Sequence, residues 1–181
     1  MFGPIQVPEP PLVDDALRLR VPEQRDLRAI ERGLRDPKVV EAFGATNLTA
    51  RQLLELNRSR WASGEAATFA ICDSADSCLG HVFVNLGASR RATVGYWLLP
   101  EARGKGLATR ALRLVSRWAL TSLEVARLGL LTEEWNVPSQ RVAERAGFHR
   151  EGVLRSWGEI DERRVDYVSF SLLPTDLQHP G

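Results

Sequence analysis

The sequence predicts a single mixed α/β domain with one central sheet. Two observations carry this. Short apolar runs are joined both by tight polar turns and by longer helix-like segments, so hairpins and crossovers share one chain. In addition, 181 residues with 44% hydrophobic and 26% charged side chains suit one domain with a proper core. There is no internal repeat.

The elements follow in order. Residues 1–16 contain Pro4, Pro8, Pro10 and Pro11. Proline fixes φ and lacks an N–H, so this is an extended arm, either a tail or a strap on a neighbour. Leu17-Arg18-Leu19-Arg20-Val21 alternates as a half-buried strand does, and Pro22 ends it. Leu27, Ile30 and Leu34 give Glu23–Leu34 helical spacing; Pro37 closes it, and a short helix follows over Val39–Phe43. Thr49 is a good N-cap for a helix from Ala50 to Ala62, with Gly64 at its end. Thr68–Cys72 and Leu79–Leu86 form a hairpin across Asp73-Ser74-Ala75-Asp76-Ser77. A turn at 87–91 leads to a strand over Val94–Leu99.

Ala108, Ala111, Leu112, Val115 and Ala119 recur at helical spacing within Leu107–Leu123. Leu128–Thr132 is a strand. Asn136-Val137-Pro138-Ser139 opens a helix that ends at Gly147. Phe148–Arg155 and Val165–Leu173 are the last strands, with a polar turn near Asp161 and Glu162. The domain is thus expected over 17–173, with about seven strands and a short tail over 174–181.

Several function classes drop out. The net charge is +1, from 24 Lys and Arg against 23 Asp and Glu, which argues against DNA as the main partner. No apolar run reaches the roughly 18–20 residues of a membrane span. Met1-Phe2-Gly3-Pro4 lacks the basic and apolar regions of a signal peptide. Two cysteines, Cys72 and Cys78, make no disulfide framework, and a cytoplasmic location with reduced thiols is expected. His81, His149 and His179 show no metal-ligand spacing, so no metal is expected.

The chemistry-bearing stretch is Arg103-Gly104-Lys105-Gly106-Leu107-Ala108, between a strand stopped by Pro100 and a long helix. Strand, glycine loop and helix N-terminus together aim backbone N–H groups at a phosphate. A P-loop requires Ser or Thr after Gly-Lys, and Gly106 stands there instead. A dinucleotide fingerprint requires a third small residue where Thr109 stands, and it opens its domain, whereas this loop is mid-chain.

Arg103-x-x-Gly106-x-Ala108 resembles the acyl-CoA pyrophosphate loop of the GNAT N-acetyltransferase superfamily. Further blocks extend the resemblance to its ribosomal-protein-alanine N-acetyltransferase branch: Leu17-x-Leu19 with Asp26-Leu27, Gly95-Tyr96-Trp97, Asn136-x-x-Ser139, Ala146-Gly147-Phe148 and Glu151-Gly152. They run in order from about Leu17 to Leu172. The resemblance implies a mixed, mostly antiparallel sheet flanked by helices.

It also implies acetyl-CoA as cosubstrate, an amine acceptor, and direct attack without a covalent enzyme intermediate. Arg103, Gly104, Lys105, Gly106, Leu107 and Ala108 would hold the pyrophosphate. The backbone of Leu98 and Leu99 would pair with the pantetheine arm. An N–H near Trp97–Leu98 would stabilise the oxyanion. Asn136 would bind the cofactor arm, or cap the following helix, or do both. Ser139 stands where the family places a hydroxyl near the sulfur. As a serine is a poor acid, it would act by a hydrogen bond or through water.

For the base, the resemblance points to the segment after the second block, where Gly158 takes the place of a glutamate and Glu159 stands beside it. Glu133 and Glu134 are the other carboxylates near the right strand ends; a proton leaving through ordered water is an equal alternative. With Trp135 and Trp157, Glu133 and Glu134 are candidates for the acceptor side, as against solvated charges and core tryptophans; Trp97 shares that choice. Trp118 reads as core. The acceptor implied is a protein N-terminal α-amine, such as that of a ribosomal protein. The alternatives are a small-molecule amine, such as an aminoglycoside or amino acid analogue, and a non-catalytic acyl-CoA-binding regulator. A homodimer is compatible with the resemblance; DNA and membrane are not expected partners.

Overall fold

A computed structural model describes residues 3–160 and 163–178. Asp161, Glu162 and His179, with the polar turn expected near the first two, lie outside the described residues. The fold is one sheet of eight strands in the order β1-β2-β3-β4-β5-β6-β8-β7. The strands are β1 (Leu12–Val13), β2 (Arg18–Arg20), β3 (Ala66–Cys72), β4 (Cys78–Leu86), β5 (Arg91–Leu98), β6 (Arg127–Glu133), β7 (His149–Ile160) and β8 (Arg163–Leu172). Every neighbouring pair is antiparallel except β5 and β6. The mixed, mostly antiparallel sheet is as expected. The additional strand is β1, which pairs Leu12 with Leu19 and Val13 with Arg18. Asp14 makes its turn by accepting from the N–H groups of Ala16 and Leu17 at 2.8 and 2.9 Å. Upstream, Ile5 is buried and donates its N–H to Trp61 O at 3.1 Å.

Five helices flank the sheet: α1 (Leu27–Arg35), α2 (Pro37–Phe43), α3 (Ala50–Ser63), α4 (Leu107–Thr121) and α5 (Val137–Arg145). Pro37 opens α2 rather than merely closing α1. Proline suits the first helical turn, and the Asp36 side chain caps the N–H groups of Lys38 and Val39. α3 begins with a capping box between Thr49 and Gln52 and ends at left-handed Gly64.

The sheet alternates strictly at its centre. Phe69, Val82, Val84, Val94, Leu128 and Phe170 join Leu112 and Val115 of α4 in the main core. Trp118 packs there with Phe69 and Trp61 at centroid distances of 5.1 and 6.0 Å, so it is a core residue. The opposite face carries His81, Phe83, Gly95 and Trp97. Trp97 lies over Gly33 of α1, where an added Cβ would meet its ring at 2.6 Å, and Phe83 meets Phe43 of α2 edge-on at 5.7 Å. The two faces of β5 therefore look toward two different sets of helices. Among the described residues, no helix is long and apolar enough to cross a membrane.

Candidate active site

The sheet is split where β5 meets β6. The parallel ladder holds only Arg91–Thr93 against Arg127–Gly129, after which the strands part. A cleft of about 610 Å³ opens between them, lined by Val94–Leu98 on one side and Leu130–Glu133 on the other. Backbone groups in a strand point alternately to either side. Leu99 donates its N–H to Leu79 O on the β4 side, so the backbone of Tyr96 and Leu98 faces the cleft. Of the strand residues expected to meet the donor, Leu98 thus presents its N–H to the gap. Leu99 does not, because its N–H is already paired.

The glycine loop borders this cleft through Arg103, Gly104 and Ala108. Gly104 and Gly106 adopt φ of +74° and +76°, in the left-handed region that glycine alone enters at little cost. Nothing lies within 4 Å of where either Cβ would stand. Gly106 is the N-cap of α4, and no side chain caps that helix. The N–H groups of its first turn are thus left for a ligand, at the positive end of a 15-residue helix. The empty glycine cradle, the uncapped helix and the open strand edge fit a ligand with a pyrophosphate and an amide-bearing arm.

Arg103 has another task in this arrangement. Its Nη2 lies 2.7 Å from Asp36 Oδ1, and its Nε donates to Leu98 O at 3.0 Å. Burial opposes the charge on Asp36, but the hydrogen bond and charge of Arg103, with the N–H groups of Val39 and Lys38, together outweigh it and hold the carboxyl below the usual range. Beside it, Arg32 grips Glu101 with two bonds of 2.7 and 2.8 Å. The side chains flanking the loop are therefore clamped to α1 and the α1–α2 junction. Lys105 and Gly106 remain exposed.

Across the cleft, β6 delivers Glu133, only 3% exposed. Its Oε2 accepts from Asn136 Nδ2 at 3.2 Å and from Thr132 Oγ1 at 3.4 Å. The Asn136 Oδ1 caps α5 by accepting the Ser139 N–H at 3.3 Å. Both faces of that amide are thus used within the protein. Finally, the Tyr96 hydroxyl donates to Ser139 Oγ at 3.4 Å. Glu133, Asn136, Ser139 and Tyr96 form one polar chain between the parted strands.

Not every expected residue reaches the cleft. Trp97 and Trp135 line it, although Trp135 is 52% exposed. Glu134 is exposed beside it. Trp157 and Glu159 sit on β7 away from the cleft; Trp157 is 60% exposed, and Glu159 pairs with Arg164 at 3.6 Å. At Gly158, a Cβ would come 2.3 Å from the Tyr167 ring, so Tyr167 occupies the space a longer side chain would need. In the sequence, Tyr96 stands out only as part of Gly95-Tyr96-Trp97. Its hydroxyl contact joins positions 43 residues apart, which no local pattern reveals.

A strand edge and anion cradle on one side, with a carboxylate–amide–hydroxyl chain on the other, define a two-substrate group-transfer site. The chain belongs to the GNAT acetyltransferase family, whose domain spans residues 16–149. It is 29% identical over 169 residues to the uncharacterized N-acetyltransferase p20 of Bacillus licheniformis, covering 90% of this chain and 95% of that protein. It is similar to RimJ of Mycobacterium smegmatis in complex with CoA-disulfide: the TM-score is 0.80 at 25% identity, over 98% of this chain and 88% of that one. Its fold is also similar to spermidine N-acetyltransferase from Vibrio cholerae in complex with CoA and spermine. There the TM-score is 0.81 at 22% identity, over 92% and 100% of the two chains. The protein is an N-acetyltransferase of this family, which uses CoA thioesters as donors.

Proposed function

We propose that this protein moves an acetyl group from acetyl-CoA to the α-amine of a protein N-terminus, by direct attack within a ternary complex. The observation that carries the proposal is the polar chain from Glu133 through Asn136 to Ser139, set against the open edge of β5. The donor supplies an activated acyl carbon and a thiolate leaving group. The α4 N-terminus with Gly104 and Gly106 would hold its pyrophosphate, and the cleft-facing backbone of Tyr96 and Leu98 its amide arm. The Leu98 N–H would stabilise negative charge on the carbonyl oxygen.

Glu133 is the group best placed to take the acceptor's proton. It lies in the cleft, its Oε1 makes neither of the two bonds above, and Asn136 orients it. This moves the base from Glu159, which is solvent-exposed on β7, to β6. Ser139, fixed in the first turn of α5, would hydrogen-bond the departing sulfur.

Beyond the glycine loop and the polar chain, much of the cleft lining is apolar, with Phe43, Phe83, Leu131, Trp135 and Tyr167 in the same cleft as Glu133. Only Glu41 and Glu133 among its described lining residues are carboxylates. One amine beside an apolar or peptide-like body suits that lining better than a polyamine, whose spaced cations need spaced anions. The test is a thiol-release assay with acetyl-CoA over N-terminal peptides, spermidine and an aminoglycoside. N-terminal peptides should give the highest kcat/KM; a preference for spermidine would overturn the acceptor assignment.

A further inference from the structure

We infer that Tyr96 is the second member of a proton relay that runs through Ser139 to the leaving sulfur. The inference rests on the transfer chemistry proposed above. Three observations carry it. Tyr96 lines the cleft, on the same face of β5 as Val94 and Leu98. Its hydroxyl donates to Ser139 Oγ at 3.4 Å and makes no other hydrogen bond among the described residues. Ser139 is itself held, with its N–H on Asn136 Oδ1.

A hydroxyl has one hydrogen to give and two lone pairs. With one lone pair receiving from Tyr96, Ser139 keeps its own hydrogen for a second acceptor, and the sulfur is the acceptor the reaction creates there. Ser139 alone would be left with an alkoxide after donating. A phenol behind it removes that problem, since tyrosine ionises near pH 10 and a serine hydroxyl ionises far higher. Burial of Tyr96 raises its pKa further, so the relay stays loaded with its proton at neutral pH.

The step balances. The amine lone pair forms the C–N bond, and the C–S bond breaks with its electron pair passing to sulfur. Sulfur takes the Ser139 proton while Ser139 takes that of Tyr96. The phenolate then regains a proton from solvent. Nitrogen loses two protons in all, sulfur gains one, and one is released.

The experiment uses the full chain, acetyl-CoA and the best acceptor peptide from the panel above. Tyr96→Phe should lower kcat by at least about tenfold, short of the 10²–10⁴ typical of a directly donating acid. The KM for acetyl-CoA should stay within about twofold of wild type. The double variant Tyr96→Phe/Ser139→Ala should be no slower than Ser139→Ala alone, because the two groups act as one unit. The alkaline limb of the wild-type kcat profile should vanish in Tyr96→Phe. Replacing Tyr96 with a fluorinated tyrosine, which keeps its size, should move that limb to lower pH.

Unchanged kcat in Tyr96→Phe, or losses that multiply in the double variant, would overturn the relay. If Tyr96→Phe loses CoA affinity by calorimetry, the fluorotyrosine variant decides: an unmoved limb refutes the relay. A wild-type chain that turns over no amine in the panel refutes the transfer reading and the relay with it. An active wild type indifferent to Tyr96 refutes the relay alone.

Discussion

Gly106 offers a test of the donor site that separates shape from charge. Its φ of +76° costs a side-chain-bearing residue about 1–2 kcal/mol, with Asn and Asp at the tolerant end. Space is not limiting, since nothing lies within 4 Å of the position a Cβ would take. Gly106→Asn and Gly106→Asp should therefore fold alike, with Tm lowered by roughly 2–8 °C. They should part at the ligand. A carboxylate about 5 Å from a phosphate charge, at an effective dielectric near 20, adds about 3 kcal/mol of repulsion. That is roughly a hundredfold in Kd between the two variants. Titration calorimetry with CoA, alongside thermal melts, reads both effects. If Gly106→Asp binds CoA within about threefold of Gly106→Asn, the pyrophosphate does not sit at the head of α4, and the donor assignment falls.

Three further outcomes follow from the same structure. Glu133→Gln should lower kcat by about 10²-fold, while Glu159→Gln should stay near wild type; the reverse result in steady-state kinetics returns the base to β7. Trp118→Ala should destabilise the fold by about 3–5 kcal/mol, because it empties the centre of the Trp61–Phe69–Trp118 cluster; denaturant unfolding checks it. His81 is buried beside Trp97, and burial lowers its pKa from 6.5 to about 4. Between those pH values the unfolded chain takes up a proton that the folded chain refuses. Stability should therefore fall as pH drops from 6.5 toward 4, by about 3 kcal/mol at most, and His81→Leu should flatten that part of the profile.

Local chemistry was the legible part of the sequence. The loop at Arg103–Ala108 and the Asn136-x-x-Ser139 turn are written within a few residues, and both appear where the spacing places them. The eighth strand was hidden because β1 is two residues long and lies among prolines. The Arg103–Asp36 clamp joins positions 67 apart, so no local pattern reveals that this guanidinium holds the α1–α2 junction. The β7 side of the site was obscured by an irregularity. The β7–β8 register shifts between Leu154 and Gly158, with Ser156 at φ of +53°. A bulge of this kind resets which residues face inward, and strict alternation cannot carry Trp157 or Glu159 past it.

The parting of β5 from β6 has one further consequence. A sheet normally exposes its unpaired edges at its two ends, where another protein's strand can add and seed aggregation. This sheet also opens in its middle, where β5 and β6 part and each shows an unpaired edge. Those edges face one another inside a cleft that Asn136, Pro138 and Ser139 of the β6–α5 segment also line. The protein thus keeps an incomplete sheet whose open segment lies within the fold rather than at its rim, away from the usual place of strand addition.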